Sequence, residues 1–118
     1  MNTNFDNNIP IYLQLLEYVK TYIISGQIKS GEKLPSVREF ANMFKVNPNT
    51  MQKALVELEE QKLIYTERTN GKYVTKDEKI ITKLKEEYAR DITSKYFENM
   101  YKIGFTQDEV LKYLLERN

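Results

Sequence analysis

Residues 36–61 read SVREFANMFKVNPNTMQKALVELEEQ. Ser36 followed three residues later by Glu39 is a capping box, in which each side chain satisfies the other residue's free backbone N–H, so a helix is predicted to start at Ser36. Val37, Phe40, Ala41 and Phe44 then recur at the spacing of one helical face. After a short turn over 44–47, Asn47 caps a second helix, with Pro48 at the first position, where its missing N–H is no loss. That helix is expected to run to about Gln61. Two short helices on a tight turn make a helix-turn-helix candidate.

At about 100° per residue, Met51, Ala54, Leu55 and Leu58 share one arc of the second helix and must face the core. Asn49, Gln52, Lys53, Val56, Glu57 and Glu60 fall outside it. The first turns therefore offer Asn49, Thr50, Gln52 and Lys53, whose amide, hydroxyl and ammonium groups can meet base edges and phosphates. The acidic residues Glu57, Glu59 and Glu60 come late, away from the end by which such a helix enters a groove.

Downstream, Leu63-Ile64-Tyr65-Thr66 and Lys72-Tyr73-Val74-Thr75 are β-prone runs around Asn70-Gly71, which predicts a hairpin. Arg68 and Lys72 flank its tip, and Gly71 lets the backbone approach a phosphate or minor groove closely. Upstream, Ile11, Leu15, Tyr18, Val19, Tyr22 and Ile23 predict a helix over about 10–25, stopped by Gly26. Residues 27–35 read as a connector punctuated by Gly31 and Pro35, and the Asn-rich residues 1–8 as a flexible lead. Three helices and a hairpin make a winged helix-turn-helix over 9–75, with Arg38, early on its second helix, placed to clamp a phosphate or reach a guanine.

Residues 76–118 change character. Ile81, Leu84, Tyr88, Ile92, Tyr96, Met100 and Ile103 follow one another at three or four residues, a long amphipathic helix over about 77–103 ended by Gly104. Thr106 and Glu109 form a second capping box and open a last helix bearing Val110, Leu111, Leu114 and Leu115. So short a segment cannot bury both apolar faces by itself. The alternative, in which both helices fold back onto the winged helix, is open on these grounds. The fold class expected is mainly α with a small β-hairpin: a winged helix-turn-helix plus a two-helix tail.

Composition removes other functions. The 118 residues contain no Cys and no His, which excludes disulfides, thiolate or imidazole metal sites, and Cys- or His-based catalysis. No carboxylate pair is recognisable by spacing, so no enzyme, cofactor or metal is expected. Leu, Ile, Val and Phe make up about 27% of the chain, enough for a modest core. No apolar run approaches the ~18 residues of a membrane span and the start has no basic-then-apolar leader, so a cytoplasmic protein without a membrane partner is expected. Lys and Arg outnumber Asp and Glu by 10 to 8 over 1–76 and trail by 8 to 9 over 77–118, a slight tilt toward the candidate DNA-binding half.

The run Pro10-Ile11-Tyr12, then Gly31 to Glu39 (GEKLPSVRE), then Val46-Asn47-Pro48-Asn49-Thr50, Ala54-Leu55 and Leu58-Glu59, resembles the N-terminal winged-helix domain of GntR-type bacterial transcriptional regulators. The resemblance covers roughly 10–75. It implies operator contacts by Arg38 and by Asn49, Thr50, Gln52 and Lys53, and makes Gly71 the wing glycine. With Ser36 and Arg68 beside them, these residues form the candidate DNA-binding set. Two positions depart from the family pattern: Lys62 stands where a glycine usually precedes the first wing strand, and the tip Arg68-Thr69-Asn70-Gly71 has one glycine fewer.

The short tail, with Ile103-Gly104-Phe105-Thr106, resembles that of the YtrA-like subfamily, where it serves dimerisation. The resemblance implies a homodimer; the apolar stripe Leu84, Tyr88, Ile92 and Tyr96, with Phe105, Leu111, Leu114 and Leu115 closing over it, is expected to supply the joined surface. The expected function is a repressor binding a palindromic double-stranded DNA operator, with any effector ligand left open. The alternative is a winged-helix module that uses the same surface on a protein partner.

Overall fold

The computed structural model describes residues 4–117, in the order α1 (Ile11–Ile24), α2 (Val37–Phe44), α3 (Pro48–Glu60), β1 (Ile64–Glu67), β2 (Gly71–Val74), α4 (Glu78–Lys102) and α5 (Gln107–Glu116). The chain divides into two compact units between Thr82 and Lys83. Among the described residues, no helix is long and apolar enough to cross a membrane.

In the first unit, α3 is the central element, packed against α1, α2 and β1. Each helix turns its periodic apolar positions inward. The core is built from Leu15, Leu16, Val19 and Ile23 of α1, Phe40, Ala41 and Phe44 of α2, and Met51, Ala54, Leu55 and Leu58 of α3, all buried. Leu63, Ile64 and Val74 close it from the hairpin. The caps are as the sequence predicts. Ser36 Oγ accepts from the Glu39 N–H while Glu39 Oε1 accepts from the Ser36 N–H, both at 3.1 Å, and Asn47 Oδ1 accepts from the Asn49 N–H at 2.8 Å.

Two tight reversals use left-handed backbone at lysines. Lys45 has φ +58 in the turn between α2 and α3, and Lys62 has φ +65 just past α3. There the Lys62 N–H donates to the Glu59 carbonyl and the Leu63 N–H to the Leu58 carbonyl. This is the helix-ending geometry that favours glycine, because a Cβ crowds the carbonyl. The glycine that the sequence resemblance leads one to expect at position 62 would thus have a backbone reason, and Lys62 holds that conformation with mild strain.

β1 and β2 pair antiparallel with Ile64 opposite Val74 and Glu67 opposite Gly71, leaving 68–70 as the wing tip. The connector before α2 is more than a linker. The Gly31 N–H donates to the Val74 carbonyl, the Val74 N–H to the Glu32 carbonyl, and the Leu34 N–H to the Lys72 carbonyl. Lys33 bridges Tyr73, so β2 is flanked on both edges. The lead to α1 is likewise held, contrary to the expectation of flexibility. The Asp6 N–H donates to Gln14 Oε1 at 2.7 Å, and Gln14 Nε2 donates to the Asp6 and Ile9 carbonyls at 2.8 Å. The first three residues of that lead lie outside the described ones.

In the second unit, Gly104, with φ +99, turns the chain between α4 and α5. Thr106 and Glu109 form the expected capping box. α4 buries none of its 25 residues.

Candidate nucleic-acid interface

The helix-turn-helix presents a largely polar surface because most of its apolar positions face inward. Along α3, Asn49, Gln52 and Lys53 are exposed and Thr50 is half-buried. Ser36 and Arg38 are exposed at the start of α2, and Arg68 and Gly71 are exposed on the wing. A cleft of about 350 Å³ runs between the start of α2 and the wing, lined by Ser36, Glu39, Thr66, Gly71, Lys72 and Lys33 among others. The eight candidate DNA-contacting residues therefore lie on elements that pack together or border one cleft.

Arg38 has no ion pair among the described residues. The carboxylates nearest in sequence are occupied: Glu39 accepts from the Ser36 N–H and Glu32 from the Lys29 N–H at 2.9 Å. The Ser36 backbone N–H, followed by its hydroxyl, holds the Glu39 carboxyl below its ordinary value. Neither carboxylate is paired with Arg38, so its guanidinium is open to solvent or a ligand.

Lys72 behaves otherwise. Its ammonium lies 3.1 Å from Glu59 Oε1 and 3.0 Å from Thr66 Oγ1, and Thr66 Oγ1 donates to the same Glu59 oxygen at 2.7 Å. The wing's lysine is thus turned toward α3 and ties the wing to the helix it flanks. The Thr66 hydroxyl, and after it the Lys72 ammonium, hold the Glu59 carboxyl below its ordinary value of 4.5 against partial desolvation. A depressed folded value means a contribution that is complete above the unfolded value and is lost as the pH falls through the folded one. Glu59→Gln is therefore expected to cost less than about 1 kcal/mol of stability at about pH 7, as for other exposed pairs, and so to lower the melting temperature slightly. The gap to the wild type should close as the pH falls below 4.5 and through the lowered folded value. Thermal melts across that range check this, and a gap independent of pH would contradict it.

Lys53 is also held. Its Nζ sits 3.9 Å from the centroid of the Tyr12 ring, so the first turn of α1 reaches the exposed face of α3. Sequence reasoning missed Tyr12, Glu59 and Thr66 as parts of this surface. Tyr12 and Glu59 did stand within the quoted family motifs, which was the available signal. Val56, 43% exposed, continues the Gln52 face as an apolar spot.

The residues expected to join two copies lie on α4, α5 and the turn between them. Leu84, Tyr88, Tyr96 and Phe105 are half-buried, while Leu111 and Leu114 are exposed. Ile92 and Leu115 are the most open, at 69% and 81%. Half-burial of the α4 stripe is interrupted at Ile92, and on α5 only Val110 is buried.

Comparison with known proteins adds a further set of observations. The family model described as "Bacterial regulatory proteins, gntR family" matches residues 11–74. The chain is 33% identical over 112 residues to the uncharacterised HTH-type transcriptional regulator YhcF of Bacillus subtilis (strain 168), covering 95% of this chain and 93% of that protein. It is 42% identical over 73 residues to the HTH-type transcriptional repressor YtrA of the same organism, covering 62% of this chain and 56% of YtrA. Among solved structures, a GntR family transcriptional regulator from Listeria monocytogenes superposes with TM-score 0.86 at 39% identity, over 95% of this chain and 98% of that one. The DNA-binding domain of AraR in complex with operator ORR3 matches with TM-score 0.54 at 29% identity, over 64% of this chain and 88% of that domain.

Proposed function

The chain belongs to the gntR family of bacterial regulatory proteins, and from that premise we propose that it is a homodimeric transcriptional repressor of the YtrA-like kind, working in the cytoplasm on a palindromic operator. That it is a DNA-binding transcriptional regulator follows from the family. The finer reading has residues 9–75 as the DNA-binding domain and 76–118 as the dimerisation tail. Residue 118 lies outside the described ones.

The observation that carries the DNA-binding part is the polar face of α3, where Asn49, Gln52 and Lys53 stand exposed, with Arg38 exposed on α2, which packs against α3. In the proposed complex α3 enters the major groove by its N-terminal end. Gln52 and Asn49 read base edges, Arg38 reaches a phosphate or guanine, and Lys53, Thr50 and Ser36 meet backbone phosphates. Arg68 and Gly71 bring the wing to the flanking phosphates. The tail supplies the second head, which a single small reading surface needs for useful affinity. The presence of repressors among the relatives supports repression as the outcome.

Selection from a randomised duplex pool tests this directly. The expected product is an inverted repeat whose half-site centres lie about 10–10.5 base pairs apart, or a multiple of that. Its affinity should fall steeply with salt. A pool with no enriched, salt-sensitive duplex would favour a protein partner instead.

A further inference from the structure

We propose that Tyr12 is a positioning residue for DNA binding: its ring holds the Lys53 ammonium where that ammonium meets a backbone phosphate. The inference rests on the DNA-binding reading above and adds to it a residue of α1, acting through Lys53. The carrying observation is the 3.9 Å separation between Lys53 Nζ and the centre of the Tyr12 ring. A cation this close to an aromatic face is attracted by the ring's negative quadrupole.

The placement follows from the fold. Pro10 caps α1, so Tyr12 falls in its first turn, and α1 packs along α3. Tyr12 is half-buried and Lys53 exposed, so the ring is anchored while the ammonium stays open. Among the described residues Lys53 has no carboxylate partner, and the ring is its held contact. A free lysine loses the rotamer freedom of a four-carbon stem when it binds phosphate, whereas a lysine already lying on a ring has lost part of it beforehand. The ammonium carries three donors and the ring covers one side, so donors remain for a phosphate oxygen. Lys53 follows Gln52, so fixing one also restrains the other's approach to the groove. A structural role alone is the competing explanation, since Tyr12 also packs, and it is separable because a leucine keeps apolar bulk but has no quadrupole.

The test uses the full chain and one duplex recovered by the wild type from a randomised pool, with affinity read by fluorescence anisotropy at several salt concentrations. Tyr12→Phe is expected to stay within about twofold of the wild type, and Tyr12→Leu to lose about 3- to 10-fold. In a Lys53→Gln background Tyr12→Leu should have no further effect, because the group it positions is gone. No loss, or the same loss with and without Lys53, overturns the proposal while leaving DNA binding intact. Absence of salt-dependent duplex binding by the wild type overturns the DNA-binding reading and this one with it. A second readout is independent of how well the variants fold: in the wild type, the ε-methylene protons of Lys53 should be shifted upfield by the ring. An unshifted resonance there overturns the proposal.

Discussion

Ile92→Asp combined with Leu84→Asp is expected to turn a dimer into a monomer in sedimentation experiments and to lower operator affinity by about 10²- to 10⁴-fold. Ile92 is 69% exposed in the single chain, so an aspartate there costs the monomer almost nothing. In a dimer joined through the α4 stripe, the same aspartate becomes an unpaired charge in an apolar contact, which costs several kcal/mol by the usual desolvation penalty. The large effect on DNA comes from lost linkage. Two heads on one dimer bind a palindrome with the second head at high effective concentration, whereas a monomer binds each half-site separately. Leu84 is half-buried in the single chain, so the double variant should melt somewhat lower. Ile92→Asp alone, at an exposed position, should keep the wild-type circular dichroism and melt and still weaken the dimer, which assigns the loss to association. A monomeric wild type, or a variant that stays dimeric and binds normally, would falsify the tail's role.

Arg38→Ala is expected to weaken operator binding by about 1–3 kcal/mol, roughly 5- to 150-fold, at fixed salt. The melting temperature should barely move. Arg38 is exposed, its neighbours Phe40 and Ala41 carry the packing of α2, and the capping box that starts the helix uses Ser36 and Glu39. Arg38→Lys should recover little of the loss if the contact is bidentate, because an ammonium cannot reproduce the guanidinium fork. If the loss is the same for every duplex tested, Arg38 binds phosphate; if it changes the preferred sequence, Arg38 reads a base. Unchanged affinity would remove it from the interface.

Both expectations draw on features that differ in how they were legible. The helix starts at Ser36, Asn47 and Thr106 could be read because a cap and its target N–H lie two or three residues apart. The buried arc Met51, Ala54, Leu55 and Leu58 could be read because helical periodicity projects chain spacing onto one face. The exposed polar face of α3 followed as its complement. The wing was legible only in outline. Its two runs and Gly71 stood out, but the connector 31–34 gave no sign that it would hydrogen-bond along the outer edge of β2. Three residues that alternate no clear pattern and sit between Gly31 and Pro35 look like a loop until the partner strand is in place.

Chain order settles the local features: where helices begin and stop, which faces are apolar, and which residue types stand on the free face of α3. These depend on contacts within one turn of helix, so chain order is sufficient. The partners of long polar side chains, by contrast, come from the packing of distant elements. Lys72 looked like a wing-tip cation and instead joins Glu59, 13 residues away, through Thr66. Lys53 looked like a free phosphate ligand and instead lies on Tyr12 from a different helix. A lysine's stem reaches several ångströms in many directions at little cost in energy. Its partner is therefore chosen by whichever carboxylate or ring the packing of other elements brings within reach, and no periodicity in the chain encodes that choice.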